Sequence, residues 1–380
     1  MMAGLAFTNA KVVTAESVVD AAVRVSEGLI TDVNGSSGNA QEIDLGGDYL
    51  LPGFVELHTD NLEKHFAPRP GVSWPPVPAA LAHDAQIAAA GITTVFDALA
   101  VGDLNENSGR LKNLENMSAA LREARERNLM RADHLIHLRC EVSHSRAVEI
   151  FADHVDAPDV RLVSLMDHTP GQRQFTNMDA YKIYYQGKYG MSDQELACFI
   201  EQKRESQKRY SVPHREAIVA ECHARGITIA SHDDATIEHV DEAVRNGVTI
   251  AEFPTTVESA SSAHQAGLGV LMGAPNLVLG RSHSGNVSAM ELARRNVLDI
   301  LSSDYVPSSM IQGVFLLWQS GAKKNLCDAV ATVSTTPSRS AGFNDRGEIA
   351  VGKRADLVQV SMHGDTPSVV AVWRAGKRVI

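Results

Sequence analysis

Apolar residues fall in two different patterns along this chain. Residues 5 to 50 hold short alternating runs: Leu5-Ala6-Phe7, Lys11-Val12-Val13, Ala22-Val23-Arg24-Val25 and Leu29-Ile30. Gly and Asn punctuate them and no helical stripe appears, which predicts strands. The far end matches, with Ala355-Asp356-Leu357-Val358-Gln359-Val360 and Val369-Val370-Ala371-Val372-Trp373. Two β-rich ends around a different middle predict one small β domain built from both termini, because the termini of a domain commonly lie close together.

The middle repeats a helical stretch, a glycine and a short apolar strand, as in Gly91-Ile92-Thr93-Thr94-Val95-Phe96 and Gly226-Ile227-Thr228-Ile229-Ala230. Gly226, Gly247 and Gly267 recur at steps of 21 and 20 residues. That step fits one short helix plus one short strand, with the glycine ending the helix in the left-handed conformation. Further strands are expected at Phe54 to Leu57, Leu135 to Cys140, Leu162 to Met166 and Val297 to Leu301. Eight apolar strands alternating with helices predict an α/β fold. It is expected as a (β/α)8 TIM barrel over 52–339, with a small composite β-sandwich domain from 1–51 and 340–380. The fourth unit carries an insertion, roughly residues 172 to 210, rich in Tyr, Lys and Gln and expected as a lid.

Strand-end chemistry follows from this arrangement, since parallel barrels place active-site groups at the C-terminal ends of their strands. Side chains alternate with period two. By that parity Glu56, His58 and Asp60 share a face, as do His137, Arg139 and Glu141; Ser164, Met166 and His168; Thr228, Ala230 and His232; and Ile300, Ser302 and Asp304. His58, Asp60, Glu141, His168, His232 and Asp304 therefore form a candidate metal site. Imidazole plus carboxylate suits a divalent ion, zinc first with manganese or iron as alternatives, in one or two positions. Such an ion would bring the pKa of a bound water towards neutrality, and Asp304, with His232 beside it, would act as the catalytic acid–base group. A lone strand-end His is more often a satisfied polar residue, and Asp304 ahead of Pro307 is also a plausible helix cap. Five strands each ending in a ligand-type residue favour the site. His65, His83, His144, His154, His223, His239 and His264 are read as surface, helix-face or loop residues.

Two loops suit anions. Arg281, His283 and Asn286 lie in Gly280-Arg281-Ser282-His283-Ser284-Gly285-Asn286, ahead of a predicted helix from Val287 to Arg295. Backbone N–H groups at that helix start would hold a phosphate; an N-capped helix behind a flexible loop explains the same residues. Arg173, Lys182 and Lys188 stand among Tyr181, Tyr184, Tyr185 and Tyr189, and read as a substrate-binding lid rather than a solvated face.

The chain has 380 residues, 35 Lys+Arg against 46 Asp+Glu, and a formal net charge of −11. An acidic balance argues against nucleic acid as a partner. It does not exclude a polyanionic small molecule, because a metal and a few cations set the local field. Neither a basic leader with an apolar block nor an apolar membrane span is visible. The four cysteines form no CxxC pair, which fits a reduced, cytoplasmic protein.

Specific motifs then carry a resemblance. Leu51-Pro52-Gly53-Phe54-Val55-Glu56-Leu57-His58 and the tail Gly352-Lys353-Arg354-Ala355-Asp356-Leu357-Val358 resemble the amidohydrolase superfamily. His58-Thr59-Asp60-Asn61-Leu62-Glu63-Lys64, Met166-Asp167-His168-Thr169-Pro170-Gly171-Gln172-Arg173, Ala230-Ser231-His232-Asp233-Asp234 and Ser282-His283-Ser284-Gly285-Asn286 resemble its triphosphate-diphosphatase branch, over nearly the whole chain. The resemblance implies a barrel with a composite β domain, and metal-dependent release of pyrophosphate from a phosphorylated sugar in phosphonate catabolism. Its implied partner is that small molecule, alongside a homo-oligomer or other proteins of the same pathway. The chain departs from the superfamily's common first-strand HxH, which is His58-Thr59-Asp60 here, and lacks a strand-end bridging lysine, for which Glu141 is the natural substitute. A deaminase or cyclic amidase on the same barrel is the competing expectation.

Overall fold

The computed structural model describes residues 4–34, 40–103, 110–173, 190–282 and 285–380. Its strands are β1 (Leu5–Val13), β2 (Val18–Ser26), β3 (Leu29–Val33), β4 (Gln41–Asp44) and β5 (Tyr49–Pro52), then β6 (Phe54–Thr59), β7 (Ile92–Val101), β8 (Asp133–Glu141) and β9 (Val160–Met166). They continue as β10 (Thr228–His232), β11 (Ile250–Glu252), β12 (Gly269–Gly273), β13 (Ile300–Ser302), β14 (Leu357–His363), β15 (Thr366–Arg374) and β16 (Lys377–Arg378).

Both ends of the chain share one sheet, in the order β16-β15-β14-β5-β1-β2-β3, with β4 also on β1. Strand β5 joins the halves, parallel to β1 and antiparallel to β14. The packing crosses the same junction: the Phe7 and Trp373 rings meet edge to face with centroids 4.8 Å apart, both buried. Aromatic pairs of that geometry add about 0.5–1.5 kcal/mol beyond the area they bury.

Strands β6 to β13 form the second sheet, each parallel to the next. Helices follow most of the strands. The sheet closes on itself through a bridge between Thr59 and Asp304. Glu56 clips this seam, accepting from the backbone N–H of His58 (2.7 Å) and from that of Ser303. Burial pushes the Glu56 carboxyl up to about 8 against the hydrogen bonds from His58 and Ser303.

Val55, Leu57, Phe96, Leu162, Ala230, Ile250, Leu271 and Ile300 pack together inside the barrel. The alternation expected for β8, β9, β10 and β13 is consistent with that layer, but β6 departs from it. Val55 and Leu57, rather than Glu56, fill the interior, and the pairing of β6 with β7 shifts between Glu56 and Thr59. The irregularity re-aims the strand, so His58 reaches the cavity although it is adjacent to the inward Leu57.

The turn chemistry matches the repeat. Gly226 ends its helix at φ 64°, and Gly247 has φ 67° with His223 Cε1 2.7 Å from where a Cβ would stand. Of the expected 172–210 lid, Asp193–Arg225 is a single helix with a Ser192/Glu195 capping box. Lys182 and Lys188 lie outside the described residues. No helix among the described residues is long and apolar enough to cross a membrane.

Candidate metal and phosphate site

A cavity of about 340 Å³ opens at the C-terminal ends of the barrel strands, lined by His58, Asp60, Arg139, His232, Asp233, Asn276, Arg281, Asn286, Asp304 and Tyr305, with an apolar edge from Phe253, Pro254, Met272 and Leu279. Four of the six predicted metal ligands therefore share it directly. The other two adjoin it as a pair: Glu141 Oε2 lies 2.7 Å from His168 Nδ1, and His168 Nε2 faces Asp233 Oδ2 at 3.7 Å. The same Asp233 oxygen is 3.5 Å from His232 Nε2.

The backbone explains the grouping. Asp233, Phe253 and Asp304 follow β10, β11 and β13 with φ of 57°, 51° and 51°. Non-glycine residues adopt that left-handed conformation uncommonly, and it clusters at functional sites. In β10 it lets consecutive residues serve one site, because His232 and Asp233 both line the cavity. Period-two parity sends Asp233 the other way, which is why sequence reasoning missed it. Asp304 is no helix cap, since the next helix starts at Ser309 behind Ser308.

Beneath the cavity, Glu252 was also missed. Its Oε1 is 3.2 Å from His58 Nδ1 and its Oε2 is 3.1 Å from His232 Nδ1. One carboxylate thus occupies the Nδ1 of both imidazoles and leaves each Nε2 for other contacts, as outer carboxylates do behind metal-binding histidines. The signal was present as Ala251-Glu252-Phe253, an acid ending a barrel strand.

Electrostatics suit a cation. Burial drives His58 well below its ordinary pKa, and Arg139 adds to the effect. Burial takes His232 down to about 3 although Glu252 works against it. Both imidazoles are therefore neutral, the form that ligates metal. Burial, reinforced by the charge of Asp60, lifts Asp304 to about 7, and burial lifts Asp233 to about 7 against the cations His168 and Arg139. His168 moves upward: burial opposes its charging, but Glu141 and Asp233 outweigh it. Asp60 Oδ1 and Asp233 Oδ2 are buried without a hydrogen-bond donor among the described residues. Crowded carboxylates with unused acceptors and neutral imidazoles form a donor set that fits a divalent metal.

The anion loops fare differently. Arg281 and Asn286 line the cavity; His283 lies outside the described residues. The expected helix from Val287 to Arg295 is only Ala289–Arg294. Two amides at its entry are already used, as Val287 N donates to Thr255 O and Ala289 N to Asn276 Oδ1. Arg173 is buried and ion-paired with Asp234 and with Glu242 (2.7 Å). That is a correction to its reading as a lid cation: its charge is committed to carboxylates that brace the loop after β10.

His83 departs from the surface reading. It is buried, with Nε2 2.7 Å from Asp97 Oδ1, while His134 Nδ1 lies 2.7 Å from Asp97 Oδ2 and its Nε2 3.3 Å from Asp84. His83, Asp97 and His134 could also group around an ion. Their 2.7 Å spacings are hydrogen-bond lengths, and we read them as a structural network behind the helix that carries Asn61.

A family model described as the amidohydrolase family matches residues 183–379. The "Alpha-D-ribose 1-methylphosphonate 5-triphosphate diphosphatase" of Escherichia coli (strain K12) is 47% identical over 373 residues, covering 98% of this chain and 99% of that protein. Among solved structures, a 5-methylcytosine deaminase from Klebsiella pneumoniae superposes with a TM-score of 0.67 at 13% identity, covering 99% of this chain and 97% of the other. An N-acetylglucosamine-6-phosphate deacetylase from Pasteurella multocida gives 0.60 at 15% identity, covering 99% of both chains. At such identities these two establish the fold and nothing finer.

Proposed function

The chain belongs to the amidohydrolase family, and we propose that it hydrolyses α-D-ribose 1-methylphosphonate 5-triphosphate to the 5-phosphate and pyrophosphate, a step of phosphonate catabolism. The observation that carries this reading is the near full-length likeness to the E. coli diphosphatase. The cavity supports it, because unused carboxylate oxygens and guanidinium groups stand in the same space.

The proposed metal-holding residues are His58, Asp60, Glu141, His168, His232 and Asp304, with Asp233 added by its place between His168 and His232. Zinc is the first choice for that donor set, in one or two positions. A bound divalent ion would supply Lewis-acid polarisation of the reacting phosphoryl group and of water. Burial keeps His58 and His232 neutral, and Glu252 holds their rings. The Asp304 carboxylate, lifted towards neutrality by burial and Asp60, orients the water and takes its proton as it attacks the α-phosphorus. Arg281 and Asn286 hold the distal phosphates at the outer edge, where charge accumulates on the departing pyrophosphate. The apolar side formed by Phe253, Met272 and Leu279 limits water around the reacting centre.

Metal-loaded protein given the ribosyl triphosphate is expected to release pyrophosphate, with elemental analysis of the same preparation identifying the ion. Metal-replete protein that forms no pyrophosphate from that substrate would sink the reading; ammonia or a ring-opened product from small amides would replace it with C–N hydrolysis. We place the protein in the cytoplasm, in keeping with its four unpaired cysteines.

A further inference from the structure

Arg139 is a cation inside the barrel that nothing so far employs. It lies on β8 two residues from His137 and two from Glu141, and both neighbours face inward: His137 Nδ1 stands 3.8 Å from Glu252, and Glu141 holds His168. Arg139 shares their face and lines the cavity with His58, Asp60, His232 and Asp304. Its Nε is buried without an acceptor, and among the described residues no carboxylate ion-pairs with it. The other inward-held arginines are spent differently: Arg173 and Arg215 share Glu242, and Arg346 and Arg354 share Asp133.

A guanidinium cannot shed its proton at any ordinary pH, so burying one N–H of its fork without an acceptor is costly. The charge of Arg139 is felt by Asp233 and Asp304, yet among the described residues neither carboxylate accepts a hydrogen bond from its Nε. Asp60 Oδ1 and Asp233 Oδ2 in the same cavity also lack a hydrogen bond among the described residues, although Asp233 Oδ2 faces the His168 and His232 rings. Acceptors and a donor without hydrogen bonds line one cavity, and this marks a site completed by two kinds of ligand. The acceptors call for a cation and the donor calls for an anion.

Position adds the rest. Arg139 comes from the third strand of the ring and Arg281 follows the seventh. Their strands are four apart in an eight-stranded closed sheet and so leave from opposite sides of the mouth, and both side chains line the one cavity. An anion held by both must span the cavity, which a polyphosphate does and a single small carboxylate does not. The planar fork of a guanidinium matches a phosphoryl group's paired oxygens.

We propose that Arg139 is a substrate-contacting residue that grips a phosphoryl oxygen of the polyphosphate on the wall facing Arg281. The identity of the anion rests on the function proposed above; the presence of an anion site at Arg139 does not require turnover.

The test uses inorganic pyrophosphate as probe. Calorimetric titration of metal-loaded wild type, Arg139→Met and Arg139→Lys is run beside elemental analysis of the same samples. Arg139→Met is expected to bind pyrophosphate at least about tenfold more weakly at unchanged metal content, the scale of one lost charge-assisted contact. Arg139→Lys recovers part of the loss, and kcat/KM for pyrophosphate release follows the same order. Pyrophosphate affinity equal to wild type in metal-replete Arg139→Met overturns the inference. So does a variant that loses metal while each remaining loaded site binds as before, which would make Arg139 a counterion to the carboxylates. If Arg139→Met is insoluble, Arg139→Lys decides alone: affinity reduced about fivefold or more supports the assignment, and unchanged affinity overturns it. A wild type that binds pyrophosphate through Arg139 yet fails to cleave the ribosyl triphosphate would refute the proposed substrate and keep this site.

Discussion

The backbone N–H of Asp60 donates to the carbonyl of Asp304 at 3.1 Å, so the first and last barrel strands meet at two cavity carboxylates. Their charges are brought together by the closing of the barrel, and the charge of Asp60 helps raise Asp304. Asp304→Asn is expected to lower kcat for pyrophosphate release by about 10²–10⁴, the usual worth of a general base. Metal should be largely retained through His58, Asp60 and His232. A kcat within threefold of wild type, measured on protein of known metal content, would remove Asp304 from the chemistry.

Glu252 acts through other side chains. With Oε1 and Oε2 on the Nδ1 atoms of His58 and His232, it fixes which nitrogen of each ring faces the cavity. Glu252→Gln retains the shape but presents one donor where two acceptors stood. Metal affinity is expected to fall about 10- to 100-fold, as for other outer-shell partners. Competition against a graded chelator series measures this without any turnover, and an unchanged midpoint would rule the role out.

Arg173 and Arg281 were grouped by sequence but are expected to fail differently. Arg173→Ala leaves the buried Asp234 without its arginine, while Glu242 keeps Arg215. Breaking a buried pair from one side typically costs about 3–5 kcal/mol, so a lower Tm is expected. Arg281→Ala, at the exposed edge, should leave Tm within a degree or two and raise KM for the triphosphate. The two variants exchanging these behaviours would reverse the assignment.

The Asp97 network predicts a pH window for stability. Burial acts against charging His134, but Asp97 and Asp84 outweigh it and lift His134 from 6.5 to about 9. Its contribution is complete below about 6.5 and is lost as pH rises through about 9. Asp97 runs the other way: burial would raise it, yet His134 and His83 bring it from 3.8 down to about 2. Its share is present above about 3.8 and is lost as pH falls through about 2. Thermal unfolding followed from pH 5 to 10 should show wild-type Tm declining on the alkaline side. Asp97→Asn should start lower and decline less. Parallel curves for the two proteins would show that the network does not govern the alkaline limb.

Much of this was legible along the chain. The glycine-to-strand repeat carries the barrel, because each βα unit needs an apolar strand buried on both faces and a helix stop before it. The β-rich ends carry the composite sheet. Ligand-type residues at strand ends carry His58, Asp60, His232 and Asp304, since the barrel puts all strand ends at one mouth. Parity failed where the backbone left ideal geometry: at β6, where a register shift brings in His58, and at Asp233, where a left-handed residue turns a side chain that alternation sends outward. Charge type alone misled at Arg173, because a basic residue beside a binding loop reads the same whether it meets substrate or a buried carboxylate 61 positions on.

By itself the sequence determined the fold, the family and the kinds of donor in the site, all of which rest on local periodicity and residue chemistry. Tertiary structure decided which of those groups face one another. Closure set Asp60 against Asp304, Glu252 reached two histidines, and Arg139 and Arg281 were brought to one cavity, with Arg139 Nε lacking an acceptor among the described residues. Pairing between residues far apart in the chain depends on strand register and ring position, and no local pattern encodes either.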